Sequence, residues 1–414
     1  MSGTSVGMWL LVPGLLKLGA WDILKGWSNR MDTDIEPRLA MQLVNESAMC
    51  VNRVRRKNSL GHQGFQLLNG MGRLASDEQA HLLLNGHTVK DSYDMMLNLG
   101  MQRKLCGHYG GDIIAVDPHR ILSSSKRVMS KKKKKTDAPT QKMLQTFFCV
   151  SAQTGQPIMA TMSSTGMPTT KATLELISAT GKIIKTPSLL VADKEHFTNG
   201  LFEEVSAHKT FDLLVPAMNT QRVKGIMQSL EYRKLDAGFA LAESNFNFDG
   251  KKTKHRFIAE RFGEKEYSYG AFLTTSNKAA KSLLCNDYDD RWTVEEFFRF
   301  ENDMGLNRAS TMNLNIRYGG LAMSMLAQAA TYELRKSLSA EYKKWNARHL
   351  ADEVLAWNDG DIRVKDDTII VTLYGHSDYL KTEEFINLPQ KLMQKNIDPH
   401  IPWLYNYKLD FRFK

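Results

Sequence analysis

Cysteine is scarce in this chain of 414 residues, which contains only Cys50, Cys106, Cys149 and Cys285. These residues lie too far apart for a CxxC metal site, and they are too few for a framework of disulfide bonds. The sequence therefore excludes a small secreted domain held together by disulfides. A reducing cytoplasmic compartment is expected instead.

Long hydrophobic runs are also absent. The apolar stretch GMWLLVPGLLKLGAW near the N-terminus contains Pro13 and Lys17, and no basic segment precedes it. It falls short of the roughly 20 residues that a membrane-spanning helix needs. We expect a buried helix with its entry turn rather than a signal peptide or an anchor, and we expect no membrane partner.

The composition is that of a globular protein, with 42% hydrophobic and 24% charged residues. The chain is too long for one ordinary core, so two or three domains are expected. Its net charge of +10 favours a polyanionic partner such as nucleic acid over an acidic small molecule. Many soluble proteins share a pI near 9, so charge by itself leaves the partner open.

Residues 1 to about 108 have a helical pattern. Ser76 is followed by Asp77, Glu78 and Gln79, which is an N-cap with acidic residues in the first turn of a helix. Three consecutive leucines then continue this helix towards an NGH turn.

Beyond residue 108, short apolar runs typical of buried strands alternate with helical segments. The predicted elements are a strand DIIAVD (112–117) closed by Pro118, a hairpin (143–164) around Thr154-Gly155, a helix (169–181) ending at Gly181, a strand SLLVAD (188–193), a helix TNGLFEEVSAH and a strand FDLLVPAM (211–218). This order describes a mixed sheet with helices against its faces.

Two further regions contain predicted strands. Residues 219 to 285 hold alternating segments around an Asp-Gly turn and are expected to form antiparallel strands. After a long helical region rich in Ala, Leu and Met, the segments RVKDDTIIVTLY (363–374) and LYNYKLDFRFK (404–414) alternate as strands. They indicate a small C-terminal α+β unit.

Two of the apolar strands end in a carboxylate, at Asp117 and Asp193. The carboxyl ends of parallel strands meet at one edge of a sheet, where ligands collect. The two aspartates can therefore lie together there. An aspartate after a strand also commonly opens a turn or caps a helix, which is the alternative for each of them.

A third carboxylate lies in the stretch YDDRWTVEEFFRFE (288–301). Tyr288, Arg291 and Glu295 are spaced so that a helix would present them on one face. Thr293 and Glu296 have the spacing of a capping box, which allows the helix to begin at residue 293 instead. In that case Tyr288 and Arg291 would lie in the turn before it.

The order of VD at 117, LLVAD ending at 193 and YxxRxxxE at 288–295 resembles the bacterial insertion-sequence transposases of the DDE class. The resemblance extends over about residues 60 to 345. It implies an α/β fold in which a ribonuclease-H-like mixed sheet is flanked by helices. The implied domains are a helical, DNA-binding N-terminal domain (1–108), a core in two parts (109–218 and 286–345), a β-rich insertion (219–285) and a C-terminal α+β region (346–414).

By this resemblance, Asp117, Asp193 and Glu295 are the catalytic residues. They would hold two divalent ions, Mg²⁺ with Mn²⁺ as a possible substitute. Tyr288 and Arg291 would bind DNA phosphate near the cut.

The sequence departs from the family at one position. Asn302 stands where the family often has a lysine, seven residues after the glutamate. Arg299 or Arg308 would be the candidates to supply the missing positive charge.

Simple electrostatics explains why such a cluster needs cations. Two charges about 5 Å apart at an effective dielectric near ~20 repel each other by roughly 3 kcal/mol. Divalent ions remove this repulsion, and Mg²⁺ prefers oxygen ligands.

Three basic stretches are candidates for contact with DNA phosphates. The strongest is the loop 123–142, whose lysine run includes Lys131, Lys132 and Lys133. The others are NRVRRKNSLGHQG (52–64) and the tip of the insertion from Lys251 to Arg256. For each stretch, a solvated loop with no partner is the alternative. No zinc finger or helix-turn-helix pattern is recognisable, so the residues that read a DNA sequence are left open.

The leading hypothesis is a DNA transposase that cleaves and transfers strands at the inverted-repeat ends of its own mobile element. It would bind double-stranded DNA as element ends and as target, work as a homodimer, and act in the bacterial cytoplasm at the nucleoid. The alternatives are a structure-selective nuclease on the same core and a transposase-derived DNA-binding protein without activity. Retention of the three acids and Arg291 argues against the last, and Asn302 favours it.

Overall fold

The structure is a computed structural model. It describes residues 2–3, 5–28, 33–51, 63–123, 125–126, 128, 131–133, 139–164, 169–208, 210–307, 311–356, 358–375 and 378–414. The basic stretch NRVRRKNSLGHQG therefore lies almost entirely outside the described residues, and so do Lys134, Lys135 and Arg308. The chain divides into two compact units, Met1–Cys106 with Phe298–Lys414, and Gly107–Phe297.

The α-helices of the described residues are numbered in chain order. They are α1 Val12–Lys17, α2 Ala20–Trp27, α3 Ile35–Ala48, α4 Gln63–Leu68, α5 Asp77–Gly86, α6 Val89–Leu105, α7 Thr169–Ile183, α8 Asn199–His208, α9 Gln221–Ser229, α10 Ala280–Ser282, α11 Trp292–Glu301, α12 Leu314–Lys336, α13 Ala347–Leu350 and α14 Leu388–Gln394. Short 3₁₀ turns include Val6–Leu11, Lys194–His196 and Asp289–Arg291.

The strands in the described ranges are numbered in the same way. They are β1 Ser2–Gly3, β2 Ile113–Leu122, β3 Lys131–Lys133, β4 Thr140–Ser151, β5 Gln156–Ser164, β6 Ser188–Ala192, β7 Phe211–Pro216, β8 Arg233–Asp236, β9 Phe239–Phe246, β10 His255–Phe262, β11 Ser268–Thr274, β12 Gly360–Lys365, β13 Thr368–Leu373 and β14 Lys408–Phe413.

The unit formed by the two ends of the chain has a helical core. Helix α12 is buried along most of its length and packs against α3 and α6. The predicted N-cap of α5 is confirmed: Ser76 Oγ accepts the Gln79 N–H at 3.2 Å, and Gln79 Oε1 accepts the Ser76 N–H at 2.9 Å. These two bonds satisfy two N–H groups that a helix start would otherwise leave unpaired.

The apolar N-terminal stretch is buried, as expected. All six residues of the turn Val6–Leu11 are buried, and α1 and α2 follow it. No single helix in the described part of the chain is long and apolar enough to cross a membrane. The segments Val6–Lys17 and Ala20–Trp27 pass that test only together, and they are bent by 77°.

The same unit contains a four-stranded sheet in the order β1-β12-β13-β14. Strands β13 and β14 are parallel, and the other neighbours are antiparallel. The segment RVKDDTIIVTLY holds the end of β12 and all of β13, because Asp366 turns the chain with a φ of +54°. The C-terminal α+β elements therefore fold in one compact unit with the N-terminal helices. The five functional domains set out from the sequence stay a prediction.

The unit Gly107–Phe297 is built on a mixed sheet. Its strands follow the order β3-β4-β2-β6-β7-β11-β10-β9-β8, and β5 pairs with β4. Strands β2, β6 and β7 are parallel, whereas β4, β5 and β8 to β11 pair in antiparallel fashion. The predicted order of strand, hairpin, helix, strand, helix and strand is confirmed, and so is the mixed sheet flanked by helices, which is consistent with a ribonuclease-H-like fold.

Two predicted turns are present in this sheet. The hairpin of β4 and β5 turns at Gly155, where φ is +65° and the N–H bonds the Ser151 carbonyl at 2.8 Å. The insertion turns at Asp249-Gly250 between β9 and β10, with a φ of +70° at the glycine. Both positions need the left-handed backbone that glycine adopts without steric cost.

Strand β2 is longer than the sequence predicts. It was expected to close at Pro118, but it continues to Leu122 and stays paired with β4. Its pairing with β6 ends at Val116. The side of β2 that β6 covers therefore becomes an edge at Pro118, and a proline without an N–H is tolerated at an edge. Helix α7 similarly passes the expected stop at Gly181 and ends at Ile183.

Helix α11 is anchored to this sheet by aromatic contact. Phe297 of α11 lies with its ring centroid 5.6 Å from that of Phe148 on β4, and Phe148 is opposite Asp117 in the ladder. Both phenylalanines are buried. Their packing fixes the helix that carries Glu295 beside the strand that carries Asp117.

Substituting Phe297→Ala is expected to lower the free energy of unfolding by about 3–5 kcal/mol, because the change removes a buried ring and leaves a cavity. Urea titration followed by circular dichroism measures the effect. The control is Phe262→Ala at a position that is 42% exposed, where the loss should be about 1 kcal/mol or less. Equal losses for the two variants would contradict this account of α11.

Candidate active site

Asp117 and Asp193 lie side by side. Strands β2 and β6 are parallel, with Val116 opposite Ala192 in the register. Asp117 follows Val116 on β2, and Asp193 follows Ala192 directly after the end of β6. Both carboxyl groups are therefore at the same edge of the sheet. The alternative role also applies to Asp193, since its side chain caps the turn Lys194–His196.

Arg291 joins the third carboxylate to this edge. Its turn, Asp289–Arg291, packs against β2 and β6. The guanidinium nitrogen Nη1 lies 3.6 Å from Asp117 Oδ1, and Nη2 donates to Glu295 Oε1 at 3.2 Å. Helix α11 begins at Trp292, so Tyr288 and Arg291 lie before the helix rather than on its face.

The site carries more negative than positive charge. Burial raises the pKa of Asp117 to about 7, and the charge of Asp193 adds to this rise, while Arg291 opposes it. The carboxylate of Glu295 raises the same pKa further. The Asp117 side chain is only 16% exposed, so water screens these interactions weakly.

Asp193 has the opposite shift. Burial would raise its pKa, but hydrogen bonding and charge outweigh burial and lower it. The largest of the lowering contributions is the hydrogen bond from His196, whose Nδ1 lies 2.8 Å from Asp193 Oδ1. The Glu195 N–H reaches the same oxygen at 3.1 Å. Asp193 is therefore the more readily ionised of the two aspartates.

Three residues beside the site were missed by the sequence reasoning. His196 is fully buried and bonds Asp193, while Arg120 of β2 forms an ion pair with Glu195. The position of His196, three residues after an aspartate that closes a strand, was the one available signal. A cap residue and the third residue of its turn can contact each other.

Tyr288 lies beside Arg291, as its spacing suggests. Its ring packs edge-on against Phe272 of β11, with centroids 4.8 Å apart. Burial raises the pKa of Tyr288 to about 12. The phenol is therefore protonated at neutral pH.

The predicted phosphate-binding side chains have different surroundings. Lys131–Lys133 form the short strand β3 paired with β4, rather than a loop, and Lys131 is exposed. Arg299 is exposed on α11, with its guanidinium 5.3 Å from the centre of the Phe300 ring. It belongs to the other compact unit.

Two of the basic residues proposed at the tip of the insertion point inwards. His255 is buried, and Arg256 pairs with Glu243 at 2.8 Å and donates to the Ser276 and Lys278 carbonyls. The burial of His255 corrects the expectation of a phosphate contact there, whereas for Arg256 that contact stays a prediction. The reason for the burial is that β10 begins at His255, inside the antiparallel ladder.

In the described ranges of the chain, no three His, Cys, Asp or Glu side chains are grouped closely enough to hold a metal ion as they stand. Arg291 contacts two of the three candidate carboxylates. The donor set nevertheless fits a hard divalent cation, because it consists of carboxylate oxygens. Burial and the charge of Asp193 raise the pKa of Asp117, and a bound cation would favour its ionised form.

Most of the unit that carries these residues matches a known protein family. The family described as Transposase DDE domain matches residues 108–328, which is more than half of the chain. The chain belongs to the DDE transposase family. The match includes Asp117, Asp193 and Glu295, and members of the family generally use divalent metal ions.

Two further comparisons were made. No curated protein matches the sequence of this DDE transposase. Among solved structures, it is similar to the piggyBac transposase in a cryo-EM structure of its synaptic complex with hairpin DNA. That similarity has a TM-score of 0.47 and 11% sequence identity, and it covers 84% of this chain and 79% of that one.

The shifted carboxyl group predicts a pH-dependent stability. Because the folded pKa of Asp117 is about 7 and its ordinary value is 3.8, the metal-free folded state binds the proton more tightly than the unfolded state. The contribution of Asp117 to the free energy of unfolding is therefore full below about pH 4, and it is lost as the pH rises to about 7.

The test compares the protein with D117N by urea unfolding between about pH 5 and 8, with a chelator present. The stability of the unsubstituted protein relative to D117N should fall up to about pH 7 and then level off. D236N, at an exposed position on β8, should parallel the unsubstituted protein throughout. Parallel curves for D117N as well would show that this carboxyl group is not shifted.

Proposed function

We propose that the protein cleaves DNA at the inverted-repeat ends of its own mobile element and joins the freed ends to target DNA. Asp117, Asp193 and Glu295 would be the catalytic carboxylates, holding two divalent ions, Mg²⁺ with Mn²⁺ as a substitute. The observation that carries the proposal is the placement of Asp117 and Asp193 at one sheet edge, with Arg291 bridging Asp117 to Glu295.

A pair of divalent ions at such a site activates an attacking oxygen and stabilises the leaving oxygen of an in-line phosphoryl displacement. The protein would supply the negatively charged carboxylate oxygens that bind these ions, on strands and a helix that the fold holds in place. Asp117 must give up its proton to serve as a ligand, and its pKa of about 7 makes this easy at neutral pH or above.

Arg291 and Tyr288 are proposed to contact the DNA backbone near the cut. A guanidinium forms strong, charge-assisted hydrogen bonds with phosphate, and a protonated phenol donates one more. Cations would compete with Arg291 for the oxygens of Asp117 and Glu295. Arg291 is thus the positive charge that the protein itself places against these carboxylates.

We further propose that the basic surface holds double-stranded DNA, both the element ends and the target. Lys131, Lys132 and Lys133 would grip the backbone without reading sequence, and Arg299 would add charge near the position of Asn302. The helical N-terminal region would read the element ends. A homodimer would pair the two ends, in the cytoplasm of a bacterium and on its nucleoid.

Replacing Asp193 with asparagine should abolish cleavage of element-end DNA in Mg²⁺, because it removes a ligand charge from the metal site. Binding of the same DNA should be largely unchanged, since the phosphate contacts are elsewhere. Gel assays of nicked and joined products measure the first quantity, and filter binding measures the second. D236N is the matched control and should keep full cleavage.

The same assay distinguishes the possible functions. Cleavage followed by joined products supports the transposase, whereas cleavage that never leads to joining indicates a structure-selective nuclease. Binding without cleavage by the unsubstituted protein indicates a transposase-derived DNA-binding protein. Cleavage that survives in D193N would show that the proposed ligands are wrong.

The lysine strand predicts a change in salt dependence. The double variant K131Q/K132Q should lower the slope of log affinity against log salt by between about 1 and 2, since each phosphate contact contributes about 0.9. The matched control, K343Q/K344Q, removes the same charge from an exposed turn of the other compact unit. If both variants give the same slope, Lys131 and Lys132 are not specific contacts.

A further inference from the structure

His196 is held on both sides of its ring. Its Nδ1 lies 2.8 Å from Asp193 Oδ1, and its Nε2 lies 3.1 Å from the hydroxyl oxygen of Thr173 on α7. The ring has no exposed surface, and Thr173 is 1% exposed. An imidazole bonded through both nitrogens in a closed space has a fixed orientation.

This contact fixes one oxygen of the Asp193 carboxyl group. Oδ1 accepts from the His196 ring and from the Glu195 N–H, and both donors belong to the turn that follows β6. Among the contacts of the described residues, Oδ2 is then the oxygen left for another ligand. Two donors on one oxygen also restrict rotation of the carboxyl group about its χ2 bond.

The turn itself is tied to two neighbouring elements. Glu195 forms an ion pair with Arg120 of β2, three residues beyond Asp117. His196 connects the turn to α7 through Thr173. The Asp193 side chain is therefore braced from the strand on one side and from a helix on the other.

We propose that His196 is a positioning residue that holds the Asp193 carboxylate in the orientation that a divalent cation requires, with Thr173 fixing the ring. The inference rests on the proposed function, since it assumes that Asp193 is a metal ligand. Partners that orient a metal ligand typically change affinity or activity by about 10- to 100-fold when they are removed. A buried histidine that served packing alone would change only stability.

The first test measures Mn²⁺ affinity by calorimetry, using the full chain bound to pre-cleaved element-end DNA. H196L should weaken Mn²⁺ binding about tenfold or more. H196N should recover most of the affinity, because its amide nitrogen can take the place of Nδ1 against Asp193. H196Q can replace only Nε2, towards Thr173, and should stay weak. Equal Mn²⁺ affinity in all three variants and the unsubstituted protein would overturn the proposal.

A second test keeps the histidine and uses a matched pair of threonines on α7. Thr173 contacts His196, whereas the Thr180 hydroxyl, equally buried, donates to the Leu176 carbonyl at 2.8 Å. T173V should weaken Mn²⁺ binding by less than H196L does, and T180V should leave it unchanged. If H196L does not fold, this pair decides, and equal affinities for T173V and T180V would rule the positioning role out.

Kinetics on element-end DNA distinguishes a failure of the proposed function from a failure of the proposed role of His196. H196L should lower kcat while KM for DNA stays close to that of the unsubstituted protein. The reason is that the His196 ring bonds Asp193 and Thr173, and neither is among the proposed DNA-binding residues. If D193N still cleaves, the proposed function itself fails. If D193N is inactive but H196L binds Mn²⁺ normally, only the role of His196 fails.

Discussion

The bridging of two carboxylates by one guanidinium, beside a third acid on the neighbouring strand, is the interaction on which the candidate site depends. Arg291 contacts Asp117 and Glu295, and Asp193 adds its charge from the neighbouring strand. Burial, with the charge of Asp193 added to it, raises the pKa of Asp117 to about 7, although Arg291 opposes the rise. The aligned strands and the buried contact of Phe148 with α11 must hold these groups together against their repulsion. Clusters that store charge in this way are typical of functional sites.

The fold treats its two aspartates differently. Asp117 lies in a continuous strand, where burial and like charges favour its protonated form. Asp193 begins a turn whose backbone N–H and histidine ring favour its ionised form. The pKa values of these two neighbouring aspartates are therefore shifted in opposite directions. Hydrogen bonds to Asp193 outweigh the effect of its burial, whereas at Asp117 burial dominates. The edge of the sheet therefore holds one aspartate whose ionised form is favoured beside one whose protonated form is favoured.

The sequence predicts those features that depend on local patterns. Apolar runs ending in acids identify β2 and β6, and the spacing from Tyr288 to Glu295 identifies the third carboxylate. Contacts between distant side chains have no such pattern, so the bonds from Thr173 to His196 and from Arg120 to Glu195 were not predicted. Tertiary pairing also overrides local rules: Lys131–Lys133 join the β4 ladder although the composition of their segment suggests a loop, and β2 continues through its proline.

The continuation of β2 past Pro118 has a mechanical consequence. A carboxylate in mid-strand, with ladder pairing to β4 before and after it, has little freedom to shift with its backbone. Glu295, in the first turn of a helix and 42% exposed, has far more. Asp117 is therefore the stationary reference of the candidate site, and Glu295 is the carboxylate with room to adjust.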